Sequence, residues 1–76
     1  MPAETILRLL ENGKWHYLTD IEEKTHLNIG KVENVTKFLA KYNFIVLDEV
    51  EQKVKLDPPT NMFFKRIRQL ENEENR

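Results

Sequence analysis

The chain has 76 residues, 39% of them hydrophobic and 33% charged, with no cysteine and a formal net charge of −1. This length suits one small domain with a modest core, and the absence of cysteine excludes disulfides and thiolate metal sites, so a reducing, cytoplasmic setting is expected. No apolar run approaches the ~20 residues that span a bilayer, and MPAETILRLL lacks the basic stretch of a secretory signal, so no membrane role is expected.

Residues 3 to 12 read as a first helix, with Ile6, Leu7, Leu9 and Leu10 on its apolar face and Asn12-Gly13 as the stop. Lys14 to Leu18, KWHYL, is aromatic and too short for a helix, which predicts a strand with one face under the hairpin and the other over the first helix. Thr19 and Glu22 stand at capping-box spacing and predict the start of a second helix that ends at Thr25. His26-Leu27-Asn28 is the turn, with Asn28 as N-cap of a third helix that reaches Tyr42. At 100° per residue, Val32, Val35, Thr36, Leu39 and Tyr42 share one side, with Phe38 at its margin. Gly30, Glu33, Asn34, Lys37 and Lys41 share the other, with Lys31 at the edge.

The third helix runs into the strand Phe44 to Asp48 across Asn43 alone, which predicts a left-handed conformation at Asn43. Lys53 to Leu56 is the returning strand, and its Val54 and Leu56 face away from Lys53 and Lys55. Asp57-Pro58-Pro59-Thr60 then opens a last helix carrying Met62, Phe63, Phe64, Ile67 and Leu70. Charge is unevenly spread along these elements. Residues 24 to 41 hold Lys24, Lys31, Lys37 and Lys41 against Glu33 only, a net charge of +3. Residues 48 to 57 set Asp48, Glu49, Glu51 and Asp57 against Lys53 and Lys55, a net charge of −2.

The order helix, strand, helix, helix, strand, strand, helix is α+β. Over residues 3 to 57, ENGKWHYLTDIEEKTHLNIGKVENVTKFLAKYNFIVLDEVEQKVKL resembles the winged helix-turn-helix core of small prokaryotic, archaeal-type transcription regulators. Leu18, Ile21, Leu27, Val32, Leu39, Tyr42, Phe44 and Ile45 stand where that family places core residues. Glu22, Thr25, Thr36 and His26 depart from it, standing for a small residue, two aliphatics and a turn glycine. These departures imply either a wider crossing of the second and third helices or polar partners at that crossing.

The resemblance implies residues 1 to 57 as the winged core, 58 to 71 as a C-terminal helix and 72 to 76 as a frayed tail. It also implies a partner, double-stranded DNA, with the helix 28–42 in the major groove. Asn28, Gly30, Lys31, Glu33 and Asn34 then approach base edges, Lys37 and Lys41 meet phosphates, and Lys53 and Lys55 reach the backbone below an acidic hairpin tip. The last helix has two readings: Phe63, Ile67 and Leu70 pack on the first helix to complete the core, or, as the resemblance implies, a homodimer forms through Phe63, Phe64, Ile67 and Leu70. The other role open to this fold is a protein-interaction module within a nucleic-acid-processing assembly, using the acidic hairpin and last helix. No enzyme is expected. His16 and His26 lie in different elements without further ligands, so no metal is expected. Glu22-Glu23 has no nucleophile beside it, and the chain has no glycine-rich phosphate loop, so no cofactor is expected.

Overall fold

The computed structural model describes residues 1–74. The elements run α1 (Pro2–Leu9), a 3-10 turn (Leu10–Asn12), β1 (His16–Tyr17), α2 (Leu18–Thr25), α3 (Ile29–Lys41), β2 (Ile45–Asp48), β3 (Lys53–Leu56) and α4 (Pro58–Glu74). The fold is α+β, with four α-helices and one three-stranded antiparallel sheet ordered β1-β3-β2. It differs from the expected order by the 3-10 turn, which closes α1 ahead of Gly13.

Gly13 takes φ 76° and its N–H donates to the Leu10 carbonyl. A Cβ there would also stand 3.1 Å from the Asn61 side-chain nitrogen of α4. The position therefore needs glycine both for its backbone angle and for the approach of α4.

The core is the meeting of α1, α2, α3 and one face of the sheet. Ile6, Leu10, Leu18, Ile21, Val32, Leu39, Ile45, Val54 and Leu56 are buried there, as the helical and alternating patterns require. Register fixes which strand residues join them: Ile45 lies opposite Leu56, Leu47 opposite Val54, and His16 opposite Val54 on the other side of β3. The intervening residues, Val46, Asp48, Lys53, Lys55 and Tyr17, therefore occupy the outer face.

Asn43 has φ 64°, its N–H donates to the Ala40 carbonyl at 3.1 Å, and the Phe44 N–H reaches back to Leu39 at 2.9 Å. Those two bonds form a Schellman cap, which ends α3 and reverses the chain into β2 without a loop. Asp57 caps α4, its carboxylate accepting from the Thr60 N–H at 3.1 Å and the Thr60 hydroxyl at 2.9 Å. The Thr60 hydroxyl is also 3.3 Å from the Asn43 carbonyl, which ties the start of α4 to the end of α3.

Several expectations need correction. No Thr19–Glu22 capping box forms, and α2 begins two residues earlier, with Tyr17 as its N-cap. The Leu18 N–H instead donates to the Gln52 carbonyl at 2.9 Å, so a bond from the hairpin sets where β1 ends and α2 begins. The strand shrinks to two residues for the same reason. Tyr42 and Phe44 are exposed rather than in the core, at the chain reversal around Asn43 that follows the last buried residue of α3, Leu39. The polar residues of α2 and α3 do not seek partners across the crossing. Thr25 donates to the Ile21 carbonyl at 2.6 Å and buried Thr36 to the Val32 carbonyl at 2.8 Å, each within its own helix. Helix α4 continues to Glu74, so residues 72 to 74 are helical, and the rest of the expected tail, 75 and 76, lies outside the described residues.

Candidate nucleic-acid interface

Helix α3 is held at its first turn by Asn28, whose Oδ1 accepts from the Lys31 N–H at 2.8 Å. The turn before it is closed by His26 at φ 62°, a left-handed position filled without glycine. One side of α3, led by Val32, Thr36 and Leu39, is buried against its neighbours α2, β2 and α1. Gly30, Lys31, Asn34, Lys37 and Lys41 are exposed on the opposite side, so the structure brings five of the sequence-predicted residues onto one surface. Lys31, Lys37 and Lys41 have no ion-pair partner among the described residues.

Two predicted residues have different settings. Asn28 is exposed, but the oxygen it would need for a two-point adenine contact is already an acceptor for the helix cap. Glu33 is half-buried and turns toward the β2–β3 hairpin. There it lines a cleft of about 390 Å³ with Thr36 and Lys37 of α3 and Leu47, Glu49 and Gln52 of the hairpin. The strip is thus bounded on the hairpin side by two carboxylates, Glu33 and Glu49.

The hairpin tip is built by its own acids. Asp48 Oδ1 accepts from the Val50 and Glu51 N–H groups, both at 3.0 Å, and Glu51 pairs with Lys53 at 2.6 Å. Gln52, at φ 55°, closes the turn by donating from Nε2 to the Glu49 carbonyl at 2.7 Å. Of the three tip carboxylates, only Glu49 lacks a local partner among the described residues.

Lys53 and Lys55 do not extend the α3 strip. Both lie on the outer face of β3, with the sheet between them and α3, and their ammonium groups stand 5.1 and 4.9 Å from the centre of the Trp15 ring. The hydrogen bond that Lys53 donates to the Glu51 carboxylate raises the Lys53 pKa, holding it charged. Trp15 and Tyr17 do not pack over α1 or under the hairpin as expected. They are 41% and 51% exposed, and the residue between them, His16, is the one turned inward. The strict alternation of a strand was the signal for this, since it allows only one of the two faces expected to pack to join the core.

His16 donates from Nε2 to Asn12 Oδ1 at 3.0 Å, and the same oxygen accepts from the Lys14 N–H at 2.9 Å. Burial, and then the charge of Lys24, lowers its pKa. Asp20 opposes that shift and Lys14 adds to it.

The α4 residues divide. Phe64 and Ile67 turn toward α1, where they line a shallow hollow with Leu7, and the Arg68 guanidinium reaches Glu11 at 3.1 Å. Phe63 and Leu70 stay exposed, together with Met62. Half of the residues expected at a dimer interface therefore anchor α4 to its own chain. The sequence reading also missed an aromatic pair beside the lysine strip. Phe38 and Tyr42 are 56% and 55% exposed with ring centres 5.1 Å apart, and Lys41 lies 5.7 Å from the Tyr42 ring. The helical wheel gave no signal for this, since it sets Tyr42 on the apolar side and Phe38 at its margin.

No family model, curated protein or solved structure matches this chain.

Proposed function

We propose that the chain is a winged helix-turn-helix protein that binds double-stranded DNA through α3 and acts as a transcription regulator in the cytoplasm, without cofactor or catalysis. The observation that carries this reading is the free cationic surface of α3. Lys31, Lys37 and Lys41 project beside Asn34 from a helix whose other side is core, and none of them is ion-paired among the described residues, although Lys37 shares its cleft with Glu33 and Glu49. A helix fits the major groove, and Lys31 and Asn34 carry the donors that read guanine and adenine edges there. Lys37 and Lys41 supply phosphate contacts farther along the helix. The hairpin is the wing of this reading, and its acidic tip stands off phosphate.

Anisotropy of a labelled random-sequence duplex titrated with protein at several salt concentrations tests this. The two phosphate-contacting lysines predict a log–log slope of about −2 per protomer. A flat salt dependence, or no binding at low salt, contradicts the reading.

A second reading has its own observation. The exposed Phe38–Tyr42 pair beside the strip is apolar surface that duplex phosphate does not use, and it favours a protein-interaction module within a nucleic-acid-processing assembly. The same titration separates the two. For the DNA-binding reading, we also infer a homodimer through Met62, Phe63 and Leu70, the residues that α4 leaves uncovered.

A further inference from the structure

The outer face of the sheet carries a second cluster, separate from α3. Tyr17 lies opposite Lys53, and Lys53 opposite Asp48. One step further along the same register puts Trp15 beside Lys55, which lies opposite Val46. The face is therefore two short rows, each with an aromatic ring on β1 or the residue before it and a lysine on β3. Asp48 is engaged by the hairpin N–H groups and Glu51 by Lys53, whereas Lys55 has no ion-pair partner among the described residues. Val46 is the only aliphatic residue in these rows, so the face is a flat cationic and aromatic surface and not an apolar groove.

We propose that this face binds single-stranded nucleic acid, with bases stacked on Trp15 and Tyr17 and phosphates held by Lys53 and Lys55. Rings two residues apart on a strand are spaced about 7 Å, a platform for successive unstacked bases. A duplex hides its base faces within its own stack, so exposed rings select the single strand. Both ammonium groups already lie about 5 Å from the Trp15 ring. On binding, Lys55 exchanges its cation–π contact for a phosphate, Lys53 exchanges its cation–π contact and its Glu51 pair, and the ring face they leave is taken by a base. The sheet separates this face from α3, so the proposal stands whether or not α3 binds duplex.

Trp15 is the only tryptophan in the chain, so its fluorescence reports this face directly. The probe is an oligodeoxythymidine of about eight nucleotides, within the usual site size of such surfaces. The expected result is saturable quenching that weakens with salt and persists in the Lys37→Glu, Lys41→Glu variant. Tyr17→Ala and Lys55→Gln, each checked by thermal unfolding to be folded, should weaken binding about tenfold or more. Both side chains reach the outer face, so a second variant remains if one fails to fold. Absence of quenching at low salt overturns the proposal, as does affinity unchanged in both variants. Quenching by an acidic peptide but not by the oligonucleotide overturns it in favour of a protein ligand. A duplex of equal length binding this face as tightly overturns the strand preference.

Discussion

Among the described residues, three other than glycine hold positive φ, and each sits where the chain must reverse: His26 before α3, Asn43 after it, and Gln52 in the hairpin. Asn43 was legible because a helix and a strand met there with no room for a loop. Gln52 was not, since its conformation follows from the Asp48 bonds that wind the turn. Replacing Asn43 with Gly should leave urea stability at least equal, because glycine adopts this conformation without strain, whereas Asn43→Ala should cost about 1 kcal/mol. Asn28→Ala should also cost about 1 kcal/mol, through loss of the Lys31 N–H acceptor. His16 gives a pH dependence whose sign follows from its lowered pKa. The folded chain holds it neutral, while in the unfolded chain it takes a proton near pH 6.5. Its contribution to stability is therefore complete above about pH 6.5 and is lost as pH falls toward the lower folded value. Urea midpoints should fall between pH 7.5 and 5.5, and His16→Gln should flatten that slope.

At the scale of elements, the helical period placed the buried side of α3 correctly at Val32, Thr36 and Leu39, and the exposed side at Asn34, Lys37 and Lys41. It failed at the rim, where Tyr42 lies beyond the last layer of the core. The Thr19–Glu22 box failed for a different reason: a local signal lost to the bond from Leu18 to Gln52, which joins residues distant in sequence. Trp15 and Tyr17 were misassigned because aromatic residues ordinarily mark the buried side of a strand, and here buried His16 holds that place. Lys37→Glu with Lys41→Glu should weaken duplex binding about tenfold or more at low salt, by removing two phosphate contacts and adding repulsion. Both residues are exposed and have no ion-pair partner among the described residues, so the thermal midpoint should stay nearly unchanged. A large loss of stability would show that these lysines serve the fold instead.

At the scale of the molecule, extents of 42 × 23 × 19 Å reflect the 17-residue α4 running past the bundle. The sequence announced this helix through Asp57-Pro58-Pro59 but did not show how its apolar residues divide. That depends on α1, where Phe64 and Ile67 line the hollow beside Leu7. Phe63→Glu with Leu70→Glu should leave the fold intact and convert a concentration-dependent dimer to monomer in sedimentation velocity. A wild-type chain that sediments as monomer at every concentration contradicts the dimer. The account depends most on α3 being the surface that meets duplex DNA. The direct measurement is an amide chemical-shift map of isotopically labelled protein titrated with a short duplex. The account predicts perturbations concentrated at Gly30, Lys31, Asn34, Lys37 and Lys41, with β1 and α4 quiet apart from any dimer contacts. Perturbations confined to the outer sheet face, to Phe38 and Tyr42, or to α4 would contradict it.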